Sequence, residues 1–121
     1  MKNFVQKGEA VAYTNGTGAA IASGDAVVIG GQIGVAAVDI ADGATGTVSM
    51  EGVYSLPKTA GAAIALGDAA IWDVSAGAFV PSSATPATGD VSKAVVAWVA
   101  AASADTTVMV KINVGVGTVA A

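Results

Sequence analysis

The chain has 121 residues, of which 54% are hydrophobic and only 12% charged, and nine acidic residues against five lysines give a net charge of −4. It contains no His and no Cys, which excludes disulfides, thiolate metal sites and catalytic arrangements built on an imidazole or a thiol. The scattered lysines form no basic patch, so we expect neither nucleic acid nor a membrane as a partner.

An N-terminal segment, residues 1–8, precedes any alternation of apolar and polar residues, and we expect it to be extended and weakly anchored. No apolar h-region follows its basic residues, and no uncharged apolar run approaches the ~20 residues that cross a bilayer. The sequence therefore predicts a soluble, unprocessed chain. No linker divides it, so we expect one domain over residues 1–121.

Two β-hairpins are predicted from apolar runs that flank a glycine-bearing turn. They join 26–29 to 33–38 across Gly30-Gly31-Gln32, and 69–74 to 78–80 across Ser75-Ala76-Gly77. The pair Gly-Asp stands before three β-type runs, at 24–25, 67–68 and 89–90. These signals indicate short strands separated by tight turns.

Two stretches alternate with a period of two, residues 47–56 and 107–114, and each predicts a half-buried strand. Residues 92–100 are rich in β-branched side chains and predict a further strand, whereas 59–66 predicts a loop with at most one helical turn. The fold class expected is all-β, a small β-barrel or β-sandwich of short antiparallel strands and hairpins with little or no helix.

No motif in the sequence indicates catalysis, a metal or a cofactor. Lys58 follows Pro57 and could activate a serine, but a loop lysine that keeps the chain soluble is the simpler interpretation. The segment Asp39–Gly43 lacks the register of a calcium loop, and the short Gly-x-Gly stretches lack the context of a phosphate cradle. We expect a protein that is not an enzyme and needs no cofactor.

The aromatic residues Tyr54, Trp72 and Trp98 are interpreted as core or subunit-interface residues. Tyr54 lies on the apolar side of its predicted strand, and Trp98 stands inside the apolar run VVAWV. A carbohydrate- or host-surface-binding β-module remains the alternative, and it would need an exposed, coplanar pair of these rings.

Three stretches carry a family resemblance when they are taken in order. They are MKNFVQKGEAV, the central GVAAVDIADG…EGVYSLPK…GDAAIWD, and AVVAWVAAASADTTVMVKINV. In this order they resemble the small decoration, or cement, proteins of tailed-phage capsids and their prophage relatives. The resemblance covers nearly the whole chain and includes no catalytic motif.

The resemblance implies a β-rich structural protein that is made in the host cytoplasm and binds the outer surface of the assembled capsid. It implies a small homo-oligomer, a trimer by analogy with a dimer as the alternative, that bridges neighbouring major capsid protein subunits and stabilises the expanded shell. Such proteins touch coat protein rather than nucleic acid and carry no cofactor.

The predicted attachment element is the start of the chain, Lys2, Asn3, Phe4, Val5 and Gln6. A loose segment with two apolar residues between polar ones is suited to pair as an added strand with a coat-protein sheet edge. The competing interpretation is that this segment forms the first strand of the domain itself.

Overall fold

A computed structural model describes residues 2–121, and Met1, the first residue of the predicted N-terminal segment, lies outside the described part. The described residues form eleven short strands: β1 Ala10–Thr14, β2 Ala26–Ile29, β3 Gln32–Ala36, β4 Thr45–Ser49, β5 Val53–Pro57, β6 Ile71–Asp73, β7 Ala78–Val80, β8 Val91–Ser92, β9 Val95–Ala97, β10 Thr107–Ile112 and β11 Thr118–Val119. Within residues 2–121 no helix is long and apolar enough to cross a membrane.

The strands form three antiparallel sheets. Their strand orders are β1-β4-β3-β2 in the first sheet, β5-β10-β9 in the second and β11-β8-β6-β7 in the third. The all-β prediction is confirmed, and the sheets do not close into a barrel.

One main hydrophobic core draws on all three sheets, because each turns one apolar face inward. Ile33 comes from the first sheet, Val110 from the second and Phe79 from the third, and all three are fully buried. A smaller hydrophobic cluster packs against the first sheet and contains Val27 and Val48.

Both predicted hairpins form, with two differences: Gln32, predicted in the first turn, begins β3, and Val74, predicted in a strand, lies in the second turn. The first closes with Ile29 opposite Gln32, which leaves Gly30-Gly31 as a two-residue turn in which Gly30 has a φ of 59°. The second closes with Asp73 opposite Ala78.

The Asp73 carboxylate organises the longer turn of the second hairpin. It accepts hydrogen bonds from the Ser75 hydroxyl at 2.7 Å and from the backbone N–H groups of Ser75 and Ala76. The hydrogen bond from the Ser75 hydroxyl, together with those from the backbone, holds the pKa of the Asp73 carboxyl below its ordinary value. The hydroxyl bond has the largest effect.

The three Gly-Asp pairs mark one turn that the fold uses repeatedly. In the stretches 22–25, 65–68 and 87–90, each Asp N–H donates to the carbonyl of the alanine three residues earlier, and each glycine has a φ between 85° and 91°. The Gly N–H and the Asp carbonyl then both bond one alanine, which is Ala36, Ala97 or Ala120. Two residues therefore oppose one, as in a β-bulge, and in the first and third cases this arrangement stands at the start of a strand pairing, β2 with β3 and β8 with β11.

The prediction of single strands over 47–56 and 92–100 is wrong in both cases. The first stretch divides between β4 and β5, which belong to different sheets, and Gly52 between them has a φ of 121° that other residues rarely adopt. The second divides between β8 and β9, with Lys93 at a φ of 64°. Such a bend does not interrupt the alternating pattern. The pattern shows which side chains share a face of the chain, but not where the chain changes direction.

Candidate functional site

The first described residues form an exposed arm, defined here as residues 2–8. Residues 2–7 carry no regular structure, and the first strand begins only at Ala10. Phe4 is 64% exposed and Val5 is 87% exposed, although both are apolar. In this structure of the free chain, residues 2–7 do not pair as a strand of the domain.

The arm leads directly into a sheet edge. β1 is the outermost strand of the first sheet and pairs with β4 on one side. A groove of about 360 Å³ lies at the root of the arm, and its lining includes Gly8, Val11 and Met50. The groove is of mixed polarity, since Gln6, Glu51 and Asn113 also line it. The unpaired strand edge beside it presents backbone donors and acceptors to an incoming chain.

A second exposed surface is the outer face of the second sheet, which we call the Trp98 face and define by Val53, Trp98, Met109 and Lys111. The strand register aligns Lys111 with Val53, and the Trp98 N–H donates to the Met109 carbonyl, so the four side chains share one side of the sheet. Trp98 is 51% exposed and Met109 is 49% exposed.

The Lys111 ammonium lies 5.3 Å from the centre of the Trp98 ring. A cation at this distance over an indole face is held by the ring's quadrupole. The contact favours one orientation of an aromatic ring that the fold leaves half uncovered. An exposed Trp beside Met and Val is typical of protein-binding surfaces.

The three aromatic residues singled out from the sequence lie in different surroundings. Trp72 is buried and packs edge to face on Phe79, with ring centres 4.9 Å apart. Tyr54 is half-buried against the main core and donates to the Glu51 carbonyl. Trp98 is not in the core, so only the interface part of its prediction stays open. The structure does not bring the three rings together as a sugar-binding platform.

Lys58 corrects the interpretation of a solvent-exposed loop lysine. The residue is 3% exposed, and its ammonium donates to the backbone carbonyls of Thr59, Ser103 and Asp105 at 3.1, 3.4 and 3.1 Å. Its contact on Ser103 is the carbonyl and not the hydroxyl, so the arrangement differs from a lysine that activates a serine. Lys58 serves to tie together two loops.

Asn113 is a structural residue that the sequence interpretation missed. Its amide group accepts from the Ile33 N–H at 3.0 Å and donates to the Ile33 and Met50 carbonyls at 2.9 and 2.8 Å. It therefore connects the end of β10 to β3 and to the bend that follows β4. An Asn near the end of the alternating stretch 107–114 was the available signal, because Asn tolerates the left-handed backbone found here, at a φ of 55°.

Residues 2–121 show no group of three or more acidic side chains placed to hold a metal ion. Two exposed surfaces are therefore the candidate binding sites of this all-β fold: the arm that leads to a strand edge, and the sheet face that carries Trp98.

Comparison with known proteins gives the family. The sequence model of the phage cement proteins matches residues 5–112, and the chain belongs to that family. Searches of curated proteins and of solved structures found no match. The family resemblance seen in the sequence is confirmed, and membership gives the protein a structural role associated with the phage capsid.

Proposed function

We propose that the protein binds the outer surface of the assembled capsid, bridges neighbouring major capsid protein subunits and thereby stabilises the expanded shell. The observation that carries this proposal is the exposed arm, which leaves two apolar side chains uncovered and leads into the edge strand β1. The function requires binding alone, without catalysis or a cofactor.

The arm is suited to pair with a strand of the coat protein. An extended segment added to a sheet edge gains affinity from main-chain hydrogen bonds and register from alternate side chains. In an extended arm, Phe4 and Gln6 point to one side while Asn3 and Val5 point to the other. Phe4 is the largest apolar side chain among residues 2–6 and serves as the anchor in this arrangement.

The Trp98 face is suited to contact a second copy of the chain. It lies on a different sheet from the arm's strand, so one surface can hold copies together while the other binds the coat protein. We favour a trimer, with a dimer as the alternative. An oligomer that engages several coat subunits at once gains effective concentration with each further contact.

Stabilisation of the shell then follows from mass action. The oligomer binds the arrangement of coat subunits that exists in the assembled shell and does not bind separated subunits. A ligand selective for one state stabilises that state, and the effect grows with ligand concentration. Modest affinity at each arm is therefore sufficient.

Deletion of residues 2–6 tests the proposal. We expect the deletion to abolish binding to undecorated, expanded capsids of the same phage, because it removes both the added strand and its Phe4 anchor. Thermal unfolding of the free protein should change little, since residues 2–6 belong to no strand.

A matched pair of single variants controls for the loss of exposed apolar surface. Val5→Ser changes an 87% exposed valine in the arm, and Val116→Ser changes an 80% exposed valine outside it. Only the variant in the arm should weaken capsid binding. Full occupancy of capsids by the deletion variant would rule out the arm as the attachment element.

A further inference from the structure

Charge is divided unequally between the arm and the rest of the chain. The arm contains Lys2 and Lys7 and no acidic residue, which gives it a charge of +2. Residues 9–121 contain nine acidic residues and three lysines, a net charge of −6. One of those three lysines, Lys58, is buried, and its ammonium donates hydrogen bonds to backbone carbonyls. It therefore contributes little to the charge of the surface.

The surface of residues 9–121 is correspondingly acidic. Six carboxylates are exposed, those of Glu9, Asp25, Asp39, Asp42, Glu51 and Asp105. Lys93 and Lys111 are the exposed cations in the same range, and Lys111 lies against the Trp98 ring. Both lysines of the arm are exposed. The positive charge that is free to meet a partner is thus concentrated in the first residues.

We propose that the acceptor for the arm on the coat protein is acidic: a strand edge flanked by carboxylates, with an apolar pocket for Phe4. This inference rests on the proposed function, in which the arm is the element that binds the capsid. An acidic acceptor attracts the arm and repels the acidic remainder of the molecule, so the protein approaches the capsid with its arm foremost. Such complementarity acts mainly on the rate of association and on orientation.

Nucleic acid fits the arm poorly, although it is also anionic. Two lysines per copy neutralise few phosphates, and the arm carries Phe4 and Val5 at its centre with no further cation. A strand edge with an apolar pocket uses every residue of the segment, whereas a phosphate backbone uses only the two ammonium groups. The arrangement of one aromatic residue between two lysines therefore favours a protein acceptor.

The expected effect of the arm lysines on affinity is moderate. Exposed ion pairs are weak, and removal of one changes an equilibrium constant by about two- to fivefold. We therefore expect loss of both charges to weaken binding of one arm by about tenfold. An oligomer with several arms multiplies this loss.

The experiment measures binding of the full chain to undecorated, expanded capsids at two salt concentrations. Between about 0.1 M and about 1 M salt the Debye length falls from ~10 Å to ~3 Å, which screens exposed charges. The parent protein should bind more weakly and associate more slowly at the higher concentration. The double variant Lys2→Gln/Lys7→Gln should bind about tenfold more weakly at low salt and should lose most of the salt dependence.

Two controls isolate the charge of the arm. Lys93→Gln removes the same charge from an exposed position outside the arm and should leave affinity within about twofold, while Lys2→Arg/Lys7→Arg retains the charge and should restore binding. None of the three substituted positions belongs to the core, so thermal unfolding should be the same for all variants.

The outcome separates this inference from the proposed function. If deletion of residues 2–6 abolishes binding and Lys2→Gln/Lys7→Gln binds as the parent does at both salt concentrations, the arm still attaches the protein and the acidic acceptor is wrong. The acidic acceptor is equally wrong if the glutamine variant loses its oligomeric state instead of its capsid affinity, because the arm would then bind another copy of the chain. If the deletion leaves binding intact, the arm is not the attachment element and the acidic acceptor is wrong with it. If the parent chain binds capsids at neither salt concentration, the proposed function itself fails.

Discussion

Asn113 ends β10 and joins that strand to two other parts of the chain. Its amide group supplies the donor and the acceptor that a neighbouring strand residue would offer to Ile33. Its left-handed backbone turns the chain away, so Val114, the next apolar residue of the alternation, is half exposed instead of buried. The alternating pattern alone predicted a strand through residue 114, because an interruption made by one side chain leaves the pattern unchanged.

Two substitutions at Asn113 separate the side chain from the backbone. Asn113→Gly keeps the φ of 55° accessible and removes three hydrogen bonds, so we expect a loss of about 2–4 kcal/mol in the free energy of unfolding. Asn113→Ala should lose about 1 kcal/mol more, because a Cβ disfavours the left-handed region. Urea denaturation measures both values. Equal losses would show that the backbone conformation carries no cost, and no loss in either variant would contradict the role assigned to the amide.

Lys58 illustrates what sequence reasoning could have found and did not. The alternation that buries Tyr54 and Leu56 continues to position 58, so the strand pattern itself directs this side chain inward. A lysine is rarely assigned to an interior because an unpaired ammonium is expensive to bury. Here the required acceptors come from residues 59, 103 and 105, and the last two become neighbours only in the folded chain.

At the level of strands, the sequence predicted features that depend on adjacent residues. It did not predict pairings between residues far apart in the chain. Both hairpins were predicted because their turns and strands are adjacent in the sequence. The divisions of 47–56 and 92–100 were not predicted, because which sheet a strand joins depends on partners far along the chain. The first half of 47–56 pairs with β1, for example, and the second half pairs with β10.

The same limitation explains why the sequence left Trp98 open between the core and a subunit interface. Its neighbours Val95 and Ala97 are buried, and a short apolar run does not reveal which of its two faces meets the core. The structure places Trp98 on the outer face, where it lies beside Met109. An interface remains the proposal for this residue.

Substitution of the Trp98 face tests its proposed role between copies. Trp98→Ala/Met109→Ser should shift the free protein towards the monomer, because it removes the two largest apolar side chains of that face. Analytical ultracentrifugation measures the shift. Leu66→Ser is the matched control, since Leu66 is 68% exposed and lies outside the face. An unchanged sedimentation coefficient for the double variant would contradict this interface.

At the scale of the whole molecule, the sequence supported the fold class and the exposed arm. The absence of clear alternation before residue 9 predicted a segment without a strand partner, and residues 2–7 have none in the sheets. The choice between a barrel and a sandwich could not be made, because closure depends on how strand edges meet and not on their local pattern.

Family membership and the exposed surfaces together lead to the central claim, which is that this protein binds the assembled capsid and stabilises it. The arm, the Trp98 face and the division of charge are our proposals for how that binding is achieved. The claim itself is independent of those details and can be tested with the unmodified chain.

The measurement that tests it most directly is co-sedimentation of the purified chain with undecorated, expanded capsids of its own phage, followed by the capsids' thermal disruption temperature. We predict saturable, stoichiometric binding and a higher disruption temperature for the decorated capsids, because the bound protein favours the assembled state. A chain that stays in the supernatant over a range of salt concentrations, or that binds without raising the disruption temperature, would contradict the claim.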